Sequence, residues 1–213
     1  IARHIGWDIG AAAVTRRLAG ALSSTAILAR TSRLVIDPNR DPNEPTSIPE
    51  ISDRVAIPGN RGLDAAERMR RRTAYFQPYH DAIAAQIARL KHWCEAPALF
   101  SVHSFTPQMP GEDRPWHIGV LWNTDPRMAE PMIRSLRAHP DHLVVGDNEP
   151  YSGKLVAYTL NRHGGGGGLP HCAVEIRQDL VADEAAVERW ATILETCLRS
   201  VLVTPGLHHI RHF

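Results

Sequence analysis

The stretch that most constrains this chain is Ser32-Arg33-Leu34-Val35-Ile36-Asp37-Pro38-Asn39-Arg40. Its first half is apolar and β-branched, which reads as a buried strand over 32–36. Its second half cannot continue one. Pro38 has no N–H for a ladder and holds Asp37 in an extended or turn conformation. A strand therefore hands over to a turn that presents Asn39 and Arg40. Ligands of open α/β sheets gather at strand ends, and a guanidinium fork grips carboxylate or phosphate with two hydrogen bonds. The other reading of Arg40 is a solvated arginine on a surface turn.

Two further strands end in chemistry. Residues 98–105 alternate so that Leu99, Ser101, His103 and Phe105 share a face. His103 sits near the end of that strand, before a loop containing Pro107, Pro110 and Gly111. In residues 172–177, Glu175 and Arg177 share one face and Val174 and Ile176 the other. A carboxylate in an apolar strand is costly unless it is paired or used. Either Arg177 is its partner or Glu175 is a working group.

The rest of the chain alternates helix and strand, which defines an α/β protein with a largely parallel sheet. Residues 11–22 read as a helix with Val14, Leu18 and Leu22 on one face. His4 and Asp8 are four apart. They form a ligand pair on an early helical turn, or Asp8 simply caps the helix. Residues 25–29 read as a short strand. Residues 41–60 contain four prolines without a period; the expectation is a lid over Arg40. Residues 63–94 carry one apolar stripe, kinked at Pro78. His80 falls on that stripe, either hydrogen-bonded in the core or facing a cleft. Residues 117–122 and 143–146 read as strands and 128–138 as a helix. Residues 154–161 fit strand or helix. The five glycines at 164–168 lack dinucleotide-site spacing and read as a flexible loop. Asp183 caps a last helix, and the tail from Thr204 reads as surface.

Composition excludes several classes. With 213 residues the chain suits one domain spanning 1–213. A net charge of +1 offers nothing global to nucleic acid or an anionic membrane. Arg68, Arg70, Arg71 and Arg72 form a basic cluster on a helix, without interleaved aromatics, and read as a solvated face. No apolar run spans a membrane. Three scattered cysteines without C-x-x-C fit neither a disulfide framework nor a zinc ribbon and point to a reducing cytoplasm.

Polar strand ends at Asn39–Arg40, His103 and Glu175–Arg177 together fit metal-assisted amide hydrolysis. A zinc-bound water attacks a carbonyl, a carboxylate shuttles the proton, and an arginine holds an acidic substrate. Ordered along the chain are His4-Ile-Gly-Trp-Asp-Ile-Gly-Ala11, the 32–40 stretch, Ile57-Pro-Gly-Asn60, Pro78-Tyr-His80, His103-Ser-Phe-Thr-Pro107, Arg114-Pro-Trp-His-Ile-Gly-Val120, Asn148-Glu-Pro-Tyr151, Gly168-Leu-Pro-His171 and Glu175-Ile-Arg-Gln-Asp179. In these motifs the chain resembles the N-formylglutamate amidohydrolase (N-formylglutamate deformylase) family.

The resemblance implies a three-layer α/β/α fold with a mixed, largely parallel sheet, zinc-exopeptidase-like (phosphorylase/hydrolase-like), similar to carboxypeptidases and aspartoacylase. It implies zinc or another divalent metal on His103, His4 and Asp8, with Glu175 as proton shuttle. It implies a small-molecule N-acyl amino acid held by Asn39, Arg40, Arg177, Arg114, His80 and Tyr151, and a place in histidine catabolism. In the family a further strand and a His-containing loop, expected to supply a metal ligand, precede the position of Ile1. The other functional class is a non-catalytic carboxylate-binding or sensory domain that keeps Arg40 and Arg177 without the metal.

Overall fold

The structure, a computed structural model, describes residues 5–109 and 111–213. In chain order its elements are α1 (Ala11–Ala21), a hairpin of β1 (Ile51–Ser52) and β2 (Val55–Ala56), α2 (Ala65–Arg71), α3 (Gln77–Leu90) and β3 (Leu99–Phe105). There follow β4 (Gln108–Met109), β5 (Glu112–Asp113), β6 (Ile118–Leu121), α4 (Pro126–Arg137), β7 (Val145–Asp147), α5 (Gly153–Val156), α6 (Tyr158–His163), β8 (His171–Arg177) and α7 (Glu184–Leu202).

The central sheet has the order β3-β8-β6-β7. β3 runs parallel to β8 and β6 to β7, while β6 is antiparallel to β8. The mixed, largely parallel sheet between helices is therefore the one expected. Alternation along β8 sorts its side chains. Cys172, Val174 and Ile176 turn toward α1, α4 and α7, where Val14, Met132, Trp190 and Leu194 complete the main core. Ala173 and Leu121 turn the other way, onto Ala157 and Leu160 beside and within α6. Full burial of a large apolar side chain is worth about 1.5–3 kcal/mol. α7 buries eight side chains and so anchors its layer. Its N-cap is Asp183, whose Oδ1 accepts from Ala186 N–H at 2.8 Å.

Several expectations are corrected. Residues 32–36 are a turn, not a strand. The carbonyls a ladder would use are already taken: Asn60 Nδ2 donates to Leu34 O at 2.8 Å and Arg71 Nη1 to Val35 O at 3.0 Å. Residues 25–29 form no strand either. The 41–60 segment is not a lid; Ser47, Ile48 and Asn60 are buried in it, and Ile48 packs with Ile36 and Phe76.

The long stripe of 63–94 is divided. A π-helical turn, Arg72–Phe76, separates α2 from α3 and places Pro78 in the first turn of α3, where its missing N–H costs little. The ambiguous 154–161 is helical. The glycine run is also ordered: a Cβ on Gly164 would lie 2.6 Å from His171 Cγ, and Gly168 has φ 64°. The tail has partners as well. Leu207 is buried, and the ring nitrogens of His208 face carbonyl acceptors, Nδ1 3.1 Å from Ala96 O and Nε2 3.0 Å from Leu202 O.

Candidate active site

The parallel register of β3 and β8 places His103 directly beside Glu175. The period of two puts both on the face that looks toward α6. His103 Nδ1–H donates to Asp8 Oδ2 at 2.6 Å, and its Nε2 lies 3.0 Å from Ser101 Oγ. Asp8 belongs to the short turn before α1. It is not the helix cap, because α1 opens at Gly10 with a left-handed φ of 76°. Its carboxylate is left for the site: Oδ1 pairs with Arg33 Nη1 at 3.1 Å, and the Ser104 backbone N–H also reaches it. Arg33 Nε in turn lies 3.3 Å from Asp37 Oδ2.

These neighbours set the charges. Burial raises Glu175 to about 7; Asp8 adds to the rise, and the cations His103, Arg33 and Arg114 oppose it. Burial works against the His103 imidazolium, but the Asp8 hydrogen bond and the charges of Asp8 and Glu175 overcome it and lift His103 to about 9. Asp8 resists its own burial through His103 and Arg33 and is held below the usual carboxylate range. A buried carboxyl poised near neutrality is suited to taking a proton and giving it back.

The site residues named from the sequence do not all converge. Asp8, His103 and Glu175 do; His4 lies outside the described residues. Arg114 is buried and donates to Tyr151 Oη at 2.9 Å and Thr106 O at 3.3 Å, its guanidinium 5.0 Å from the Tyr151 ring. Its charge is felt at Glu175. Asn39 has both ends of its amide committed, Nδ2 to Val156 O and Oδ1 to Thr159 N–H, each at 3.0 Å. Arg40 lies half-buried, outside the cavity wall described below. Arg177 pairs with Asp179 at 2.9 Å rather than with Glu175.

His80 is a core histidine. Its Nε2–H donates to Pro38 O at 3.0 Å, so its Nδ1 accepts from His163 Nε2–H at 2.8 Å. The residues that sequence reasoning missed are Arg33 and Asp37. Their i, i+4 spacing was the available signal, and the strand reading of 32–36 hid it.

A cavity of about 550 Å³ runs past this cluster. Asp8, Arg33, Asp37, His103 and Thr159 line its polar end, and Leu18, Ile27, Leu90 and Phe100 are among its apolar lining. Among the described residues no three His, Cys, Asp or Glu side chains gather as a metal cage. An imidazole nitrogen and a carboxylate oxygen, here His103 Nδ1 and Asp8 Oδ2 hydrogen-bonded at 2.6 Å, are nonetheless donor types that a divalent cation takes once the proton between them is released. As a partial ligand set they fit.

The fold and the site define an α/β/α hydrolase with its titratable groups on neighbouring strands. A profile of the N-formylglutamate amidohydrolase family matches residues 1–182, and the chain belongs to that family: it is an amidohydrolase. A solved gene product from Agrobacterium tumefaciens is similar at 36% identity and a TM-score of 0.89, over 94% of this chain and 79% of that one. An N-formylglutamate amidohydrolase from Ralstonia eutropha JMP134 shares the fold at 21% identity and a TM-score of 0.59, over 80% of this chain and 73% of that one. A search of curated proteins returns no significant match.

Proposed function

We propose that this amidohydrolase cleaves the amide of an N-acyl, specifically an N-formyl, acidic amino acid such as N-formylglutamate, with a divalent metal, zinc first, as cofactor. The observation that carries this reading is the His103–Glu175 rung with Asp8 hydrogen-bonded to His103. Glu175 takes the proton of the attacking water and returns it to the leaving amine nitrogen. Arg33 fixes Asp8 against His103. Arg114, oriented by Tyr151, supplies buried positive charge, and Arg40 remains available for a substrate carboxylate. A metal held by His103, Asp8 and His4 would polarise the scissile carbonyl and acidify the water.

The basic cluster of α2 supports a small-molecule substrate over nucleic acid, because Arg70 and Arg71 are paired with Glu67 at 2.6 and 2.9 Å. Among the described residues no helix is long and apolar enough to cross a membrane. The unpaired Cys94, Cys172 and Cys197 suit the reducing cytoplasm.

Metal content and formate release from N-formylglutamate, measured on one preparation, test the proposal. Bound metal with formate release is expected. Binding of the amino acid without either would favour the sensory reading instead.

A further inference from the structure

We infer that Ser101 is a positioning residue for the metal centre proposed above: its hydroxyl takes the His103 Nε2–H and leaves Nδ1 as the nitrogen that meets a divalent cation. The inference rests on the metal-dependent reading of the site and adds a residue to it. Ser101 and His103 are two apart on β3, so the period of two puts both on the face toward α6. Ser101 Oγ lies 3.0 Å from His103 Nε2, while Nδ1 is turned to Asp8 Oδ2 at 2.6 Å. The imidazole is thus held at both nitrogens, from its own strand on one side and from the turn before α1 on the other.

Packing alone does not explain a serine here. Leu99, the preceding residue on that face, packs against the apolar cluster of Leu121, Ala157, Leu160 and Ala173. The rung partner of Ser101 is Ala173 itself, whose methyl offers nothing to a hydroxyl. A part-buried hydroxyl in such a place carries a desolvation cost that a polar partner offsets, and that partner is His103.

With both nitrogens protonated, His103 donates to Asp8 and to Ser101. Release of the Nδ1 proton leaves a lone pair there for a cation, and the one remaining N–H is then on Nε2. That N–H needs an acceptor, since a ligating histidine is held in its tautomer and orientation by a bond at its other nitrogen. Ser101 Oγ is already in place as that acceptor. It also covers Nε2, whereas Nδ1 is the nitrogen beside Asp8, the second donor of the pair. The two hydrogen bonds therefore choose the ligand atom before any cation arrives.

Zinc affinity and imidazole nitrogen NMR on the purified protein, with Ser101→Ala and Ser101→Thr, test this. Ser101→Ala leaves Nε2–H without its acceptor. Zinc binding, read by competition with a chelator, should weaken by ~10–100-fold, with the melting temperature of the zinc-free protein little changed. Ser101→Thr keeps the hydroxyl on a side chain suited to a strand, and Ser101 borders the cavity, which leaves room for the extra methyl. It should restore the wild-type affinity. In the zinc-loaded wild type the His103 signals should show Nδ1 on the metal and a slowly exchanging proton on Nε2; in Ser101→Ala that proton should exchange fast. Zinc on Nε2, equal affinity in wild type and Ser101→Ala, or a loss that Ser101→Thr does not repair overturns the role of Ser101 and leaves the metal reading standing. A wild type that takes up no zinc overturns the metal reading itself, and this inference with it.

Discussion

His103 and Glu175 occupy one rung of the β3–β8 ladder, seventy-two positions apart in sequence and adjacent in space. A buried cation and a carboxyl near neutrality thus share a sheet face without forming the long side-chain reach of a surface pair.

Glu175→Gln keeps shape and removes the proton acceptor. Turnover should fall by ~10²–10⁴. The melting temperature should hold or rise, because Gln does not carry the desolvation that lifts the Glu175 pKa. Steady-state kinetics and thermal melts on the same sample check it; a destabilised variant with normal turnover per folded molecule would remove Glu175 from the mechanism.

Arg33 and Arg40 should separate cleanly. Arg33→Ala leaves Asp8 and Asp37 without their shared cation and should cost ~1–3 kcal/mol of stability along with turnover. Arg40→Lys should leave stability alone. If Arg40 clamps the substrate carboxylate, the lost fork is worth ~1.5–3 kcal/mol, so KM should rise roughly tenfold to hundredfold. An unchanged KM returns Arg40 to the surface turn.

The glycine run is not uniform. Gly164→Ala puts a Cβ 2.6 Å from His171 Cγ and 2.8 Å from Leu160 O and should destabilise by ~1–3 kcal/mol. Gly166→Ala meets nothing nearer than 3.7 Å and should be neutral or stabilising by ~0.4–1 kcal/mol. Equal denaturation midpoints for the two variants would contradict the packing of Gly164.

Burial lowers His80 from 6.5 to about 4, against the Pro38 hydrogen bond that favours its charged form. The unfolded chain therefore takes up this proton as pH falls below 6.5, while the folded chain resists until about 4. Stability from His80 is whole above that window and drains through it, by roughly 3 kcal/mol in all. Melts of wild type and His80→Gln between pH 7 and 4 should converge toward acid; parallel curves would show that the burial of His80 has no such cost.

The parts of the fold written locally were legible. β3, β8 and α7 follow their periods, and Asp183 caps where its position says. Residues 32–36 were not, because their apparent strand is undone by Asn60 and Arg71, side chains whose approach no local pattern announces. Asp8 was legible as a site candidate beside its capping alternative, and the left-handed Gly10 at the helix start decides between the two. Glu175 was legible as a costly carboxylate, paired or working; the structure turns Arg177 to Asp179, two residues on, and brings His103 beside Glu175 from another strand.

β8 follows β3, β6 and β7 along the chain, and it inserts between β3 and β6, which touch β8 rather than each other. A nascent chain that stops short of residue 171 holds β3 as a lone strand apart from the β6–β7 pair, with raw edges and a His103 that lacks its carboxyl companion. Such edges are where aggregation starts. The strand that carries Glu175 is thereby also the strand that joins the two parts of the sheet.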